Sequence, residues 1–453
     1  MPARIAPGRS AAALAANLWP LALLPLVWHY QHPLLFRLRH AESALLIALP
    51  LCGLLGWRCL PGAARLLLVS VALLLAGQAL HQQLQRQTVL AAGPAMQALG
   101  RHFIVGYTDI TEARELAEKG LIGGIYVGRR NVRGRSLSEV RDEIAALQAI
   151  RRQAGLPPLI VAADQEGGEI NHLSPLIERL PPLAEAIGQP DPGRAALIYG
   201  MRQGHALAQL GVTLNFSPVV DLQPGARPDG DRFSNIPARA IGSDPEDVAA
   251  VAAGYLDGLA ASGVRGTLKH FPGLGRVRLD THLHPARLAE TPAELAADWL
   301  PFRTLAGRAG SALMLGHVTL EAIDPQRAAS HSPTVVRLLR EEWGYDGVLV
   351  TDDLNMGPCT TSASARSPAR RWPPASIWCW SATTRASSTA PCTAPHRRSA
   401  RAGLPRRCWQ RVRGGWIYWR AQEVQSERRE RLDTDSPKQI LWAWGRDPGR
   451  IAE

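Results

Sequence analysis

Lys269–His282 reads KHFPGLGRVRLDTH and follows directly on a short β-like run, Thr267–His270. The stretch opens with Lys-His, turns at Pro272-Gly273 and closes on Asp280-Thr281-His282. A loop of this composition can hold a hydroxyl with its first residues and deliver a proton with its last. Asp-x-His puts both side chains on one side of an extended segment, so the carboxylate can orient and charge-tune the imidazole.

Outward from this stretch the chain alternates. Strand-like runs fall at Phe103–Gly106, Gly123–Val127, Leu159–Ala162, Val212–Phe216, Thr267–His270, Ala312–Leu315 and Val348–Val350. Helix-like segments lie between them: Thr111–Lys119, Ser138–Gln153, Gly193–Leu210, Pro245–Ala261, Pro292–Arg308 and Thr334–Glu342. Ser243-Asp244-Pro245 and Thr291-Pro292 are helix-start signals. Near-continuous apolar strands alternating with helices predict a parallel sheet covered on both faces. The α/β rhythm fits a (β/α)8 TIM-type barrel lacking its last βα unit, with polar residues at the strand C-terminal ends where barrel sites form. A doubly wound open sheet is the alternative, but no Gly-rich phosphate fingerprint follows the first strand. Thr351-Asp352-Asp353 ends the last apolar run and supplies a second chemical centre. As an alternative, a double Asp after a strand can serve as a helix N-cap pair.

KHFPGLG followed by four residues and DTH resembles the signature of the glycoside hydrolase family 3 β-N-acetylglucosaminidases. VTDDLNMG resembles their nucleophile strand, and VAADQEGGEI (Val161–Ile170) and NFSPVVDL (Asn215–Leu222) resemble two further blocks in the right order. The resemblance covers roughly Gly100 to Met356. It implies a retaining β-N-acetylhexosaminidase that removes terminal GlcNAc from glycans such as peptidoglycan fragments. Asp352 is then the nucleophile, and His282 assisted by Asp280 replaces the usual carboxylate acid. Asp164, Arg239, Lys269 and His270 are the implied substrate-binding residues. Histidine suits acid and base work because its unperturbed pKa of about 6.5 lies near neutrality. Lysine is scarce, the others being Lys119 and Lys438, so Lys269 suggests a chemical requirement. The chain departs from the family pattern in places: Glu169 and His172 stand where it has arginines. Leu274 replaces a frequent histidine, and Asp353 reads as a support or cap rather than a catalyst. A family 3 β-glucosidase or β-xylosidase, or an inactive sugar-binding remnant, is the alternative reading.

Composition narrows the partners. After Met356, Lys plus Arg number 18 and Asp plus Glu 7, so this tail carries +11 of the chain's formal +12. The preceding part is near neutral, and the basic pI is no argument for nucleic acid. The cysteines lie at Cys52, Cys59, Cys359, Cys379, Cys392 and Cys408, leaving the middle without a disulfide framework or thiolate site. The His and Asp spacings match no common ligand template, so neither metal nor cofactor is expected.

Residues 1–82 hold three apolar runs, Leu18–Trp28, Ala44–Trp57 and Leu66–Leu80. Each is at or below the roughly 17–20 residues a span needs, although flanking residues can extend them. With Trp19, Trp28 and Trp57 at run ends, they predict an anchor of two or three helices in membrane lipid. With three spans and the N-terminus inside, the next domain faces the periplasmic side of a bacterial inner membrane; two spans leave it in the cytoplasm. Residues 83–100 read as a polar linker, 101–356 as the barrel and 357–453 as an irregular Arg/Trp-rich tail. Eight of 13 Trp fall in that tail, among clustered Arg, Ser, Pro and Cys, with no period of a helix or strand. A shifted reading frame in a GC-rich gene gives such a mixture; a basic disordered extension is the alternative, though such segments are poor in Trp. Back-translated with freely chosen GC-rich codons and read from the third base of the Met356 codon, the segment can give GPVHHLGIGEVARQALAAGIDLVLVSYD. That is an amphipathic helix followed by an apolar strand, the order of the missing unit. Without it the barrel is expected to stay unclosed, with unpaired strand edges beside Asp352.

Overall fold

The computed structural model describes residues 93–223, 225, 233–354 and 356, scattered positions between 69 and 91, and the backbone of Ile377–Ser381. Seven short strands run parallel: β1 (Phe103–Gly106), β2 (Gly124–Tyr126), β3 (Ile160–Ala163), β4 (Leu214–Asn215), β5 (Thr267–Phe271), β6 (Ala312–Leu315) and β7 (Leu349–Thr351). Their sheet order follows the chain, and parallel bridges Leu214–Arg265 and Val219–Lys269 join β4 to β5. Helices separate the strands at Ile110–Glu118, Leu137–Gln153, Pro192–Leu210, Pro245–Ala261, Ala296–Leu305 and Pro333–Arg337. The result is an α/β fold built on a parallel sheet.

Alternation along each strand explains why the runs are apolar throughout. Ile104, Tyr126, Ala162, Leu214, Phe216, Ala312, Met314 and Val350 form one buried cluster on the inner face. Their neighbours Val105, Ile125, Val161, Leu313, Leu315 and Leu349 turn outward into a larger core shared with the helices. Both faces of each strand are therefore buried.

Caps place the helices. Asp244 accepts from Asp247 N at 2.9 Å with Pro245 in the first turn. Ser136 and Glu139 form a reciprocal capping box. The expected helix Pro292–Arg308 is shorter. Thr291 and Glu294 bond one another at 2.7 and 2.8 Å, holding a turn, and the regular helix begins only at Ala296.

The eighth position differs from expectation. β8 (Ile377–Ser381), from the tail, lies antiparallel between β1 and β7, pairing Ile104 with Trp378 and Val350 with Trp380. The prediction of unpaired edges is therefore incorrect, as is the absence of strand character in the tail. Two edges with unsatisfied backbone groups take the available extended segment as partner. A parallel eighth strand with its helix is not among the described residues.

Two of the apolar N-terminal runs and most of the third lie outside the described residues, as does the rest of the tail. Among the described residues, no helix is long and apolar enough to cross a membrane.

Candidate active site

The predicted site residues gather at the C-terminal ends of the strands. β5 bends there: its register to β6 shifts between Leu268 and Phe271, breaking the two-residue alternation. Lys269 and His270 are adjacent, yet both are buried in the same polar cluster. Lys269 Nζ lies 2.7 Å from Asp164 Oδ1, just past β3, and 2.5 Å from Glu166 Oε1. Arg239 grips Glu166 with two bonds, Nη2 to Oε1 at 2.7 Å and Nε to Oε2 at 3.0 Å. Burial pushes the Glu166 carboxyl up, but Arg239 and Lys269 outweigh it and hold it far below the usual range. Burial alone would lower Lys269; Asp164 and Glu166 instead raise it, so the ammonium stays charged. Asp164, Glu166, Lys269 and Arg239 form one paired network.

His270 is oriented from behind. Its Nδ1 donates to Asp221 Oδ2 at 2.7 Å, and its backbone N–H donates to Asp221 Oδ1 at 3.0 Å. Leu274 N donates to the same oxygen at 2.9 Å, tying the start of the loop to β5. With Nδ1 so engaged, Nε2 is the free-tautomer face and lies 3.5 Å from Arg239 Nη2.

The dyad forms, by a different local geometry from the one expected. Asp280 opens a turn rather than an extended segment, because Leu283 N and His284 N both donate to its carbonyl. Asp280 Oδ1 accepts from His282 N at 2.9 Å and lies 3.1 Å from His282 Nδ1. Such a turn brings backbone and ring of the second residue onto one carboxylate oxygen. Phe233 N donates to Asp280 Oδ2 at 2.9 Å, and Ser234 Oγ donates to Oδ1 at 3.2 Å. The imidazole thus has a carboxylate on Nδ1 while its side chain remains 37% exposed.

Asp352 follows β7, and its N–H donates to Leu315 O at 2.9 Å. Its Oδ1 accepts from Asp353 N at 2.8 Å. Burial raises this carboxyl, but His270, His317, His282 and the Asp353 N–H prevail and hold it below the usual range. A charged carboxylate within electrostatic reach of an imidazole held on a second carboxylate can attack an electrophilic carbon while the ring protonates a departing oxygen.

Several contributors were not singled out in the sequence. Glu166 lies inside the DQEGG block and Asp221 inside NFSPVVDL, so their blocks were visible but not their roles. Ser234 and His317 carried no signal of their own. His317 Nε2 donates to Asp353 O at 3.0 Å and Nδ1 lies 2.7 Å from Ser330 Oγ, fixing the turn behind Asp352. His172 lies 2.6 Å through Nδ1 from the Tyr126 hydroxyl, which is 3.3 Å from Asp164 Oδ2. It therefore belongs to the layer behind Asp164. Among the described residues, no His, Cys, Asp and Glu cluster has the arrangement of a metal site.

Comparison with known proteins agrees with this geometry. The family model described as Glycosyl hydrolase family 3 N terminal domain matches residues 76–372. A beta-hexosaminidase of Pseudomonas aeruginosa is 33% identical over 265 residues, covering 58% of this chain and 76% of that protein. A glycoside hydrolase family 3 beta-N-acetylglucosaminidase from Paenibacillus sp. aligns with TM-score 0.56 at 30% identity. That alignment covers 62% of this chain and 53% of the Paenibacillus one, so this chain spans about half of that protein. NagZ from Neisseria gonorrhoeae, solved with N-trifluoroacetyl-D-glucosamine, aligns with TM-score 0.50 at 30% identity over 59% of this chain and 75% of its own. With the parallel α/β sheet and the Lys269–His282 site in place, the matches put this chain in glycosyl hydrolase family 3.

Proposed function

We propose that this chain is a retaining β-N-acetylhexosaminidase that removes terminal β-linked GlcNAc from glycans such as peptidoglycan fragments. The observation that carries the reading is the place of Asp352 directly after β7, within electrostatic reach of His282 of the Asp280–His282 dyad and of His270, with the Asp164–Glu166–Lys269–Arg239 network built on the neighbouring strands. Asp352 attacks the anomeric carbon as the bond to the leaving oxygen breaks, and the His282 imidazolium, its Nδ1–H held by Asp280, gives its Nε2 proton to that oxygen and becomes neutral. In the second step, neutral His282 takes a proton from water, which displaces Asp352 and returns the anomeric configuration to β. With an imidazole acid, the separation rule for two carboxyl groups does not apply. Asp164 and Lys269 hold sugar hydroxyls, with His270 and Arg239 beside them. The relatives named beta-hexosaminidase support the GlcNAc preference over glucose or xylose.

The finer architecture belongs to the same proposal. The domain is a (β/α)8-type barrel whose eighth place is held by β8, anchored by helices within residues 1–82 on the periplasmic face of a bacterial inner membrane. Residues after Met356 come from a shifted reading frame. The antiparallel β8 in place of a parallel βα unit favours that view, and it favours a second reading, a sugar-binding chain of low turnover. Hydrolysis of the 4-nitrophenyl β-glycosides of GlcNAc, glucose and xylose decides between them. Release from the GlcNAc substrate alone is expected. Preferred release from glucoside or xyloside, or binding without any release, overturns the hexosaminidase reading.

A further inference from the structure

The proton-donor dyad is not held by its own loop alone. Asp280 is gripped by Phe233 and Ser234, and these begin a strap, Phe233–Arg239, with two further attachments. At one end, Arg239 bonds Glu166 and also donates through Nη1 to Ser234 O at 2.7 Å. In the middle, Asn235 turns the chain through a left-handed corner, φ 40° and ψ 43°, a conformation asparagine tolerates better than most residues. There its Nδ2 donates to Glu169 Oε2 at 2.6 Å. Glu169 follows the left-handed glycines Gly167 and Gly168 in the hairpin of Gln165–Gly167 and Ile170–Asn171. The base of that hairpin carries Asp164 and Glu166. Arg129 Nη2 donates to the Glu169 carbonyl at 3.4 Å, fixing the turn from outside.

We propose that Glu169 is a positioning residue for the proton donor: through Asn235 it holds the Phe233–Arg239 strap, and thereby Asp280 and the His282 ring, in place. An arginine at this position, as the family pattern has, could not accept the Asn235 amide; the carboxylate can. The inference rests on the reading of His282 as acid. The strap's hold on Asp280 keeps the carboxylate on Nδ1–H, so the proton that the imidazolium gives up is the one on Nε2 and the neutral ring is left as the Nδ1–H tautomer. Loosening it lets the ring rotate or change tautomer, and misplacement of an acid by about 1 Å is enough to cost on the order of 100-fold.

The test compares Glu169→Gln, Glu169→Ala and Asn235→Gly in the full chain. Gln keeps an acceptor for Asn235; Gly keeps the left-handed corner and removes only the amide. Two readouts are taken: kcat/KM for 4-nitrophenyl and methyl β-GlcNAc, and the ¹⁵N shifts of the His282 ring, assigned with His282→Ala. Glu169→Ala and Asn235→Gly are expected to slow the methyl glycoside about 10- to 100-fold while changing the nitrophenyl substrate a few-fold, because a good leaving group needs little protonation. Both should lose the Nδ1–H tautomer bias, and Glu169→Gln should keep both properties. An equal loss on both substrates with an unchanged tautomer overturns the proposal. If the unaltered chain hydrolyses neither substrate, the hexosaminidase reading fails instead. The ring shifts alone then decide the strap: a changed tautomer in Ala and Gly but not Gln upholds it, and an unchanged one overturns it.

Discussion

At the scale of single residues, the site separates charges that stay fixed from one that must move. Asp352→Asn is expected to lower kcat by at least about a thousandfold, since the amide cannot form the glycosyl ester. His282→Ala should slow poor leaving groups most, read from the slope of rate against leaving-group pKa. Glu166 is the keystone of the fixed set. Glu166→Gln leaves Arg239 buried against a neutral amide and Lys269 with Asp164 as its remaining carboxylate, and a loss of about 3–5 kcal/mol is expected in urea unfolding at pH 7. His317 adds a pH signature. Burial lowers its pKa, so between about pH 6.5 and its folded value the unfolded chain binds the proton that the folded chain refuses. Stability should therefore be complete above about pH 6.5 and fall by up to about 1.4 kcal/mol per unit as pH drops below it, and His317→Asn should flatten that slope in denaturant titrations. Motif spacing and the family resemblance brought Asp352, Asp280, His282, Lys269 and His270 forward from the sequence as candidates. Glu166 and Asp221 were less so, because their partners Arg239 and His270 lie 73 and 49 residues away. Pairings over that distance are products of topology rather than of local pattern.

At the scale of elements, burial on both faces made the strands readable: all four residues of β6 are buried, so the run shows no polar breaks. The acid loop was misread as extended because a carboxylate capturing a backbone N–H two residues on leaves little trace in residue types. The tight seam between Pro192–Leu210 and Pro245–Ala261 was also hidden. It depends on glycines: a Cβ at Gly258 would sit 2.3 Å from Leu197 O, and one at Gly200 2.3 Å from Tyr255 O. Both helices would have to part to admit a methyl group. Gly258→Ala should cost about 1–3 kcal/mol and lower the melting temperature by several degrees. Gly188→Ala, where the nearest atom to a Cβ is 3.8 Å away, should leave it unchanged in the same thermal scan.

At the scale of the whole molecule, the proposed anchor within residues 1–82 and the proposed frame shift after Met356 are both open to direct test. The full chain should stay with membranes through an alkaline wash, and a chain starting at Gly100 should remain in the supernatant; recovery of both in the supernatant removes the anchor. A one-nucleotide repair near codon 356 should exchange the antiparallel β8 for a parallel unit and raise both thermal stability and turnover. An unshifted gene, or a repaired chain no more active than this one, ends the frame proposal. Even a slow enzyme completes one turnover, so the most direct measurement is chemical trapping. Incubation with a fluorinated N-acetylglucosaminyl substrate that deglycosylates slowly, followed by peptide mass mapping, should place one sugar on the peptide that contains Asp352, and Asp352→Asn should abolish it. An adduct on any other residue, or release of α-configured GlcNAc as the first product, would contradict the account.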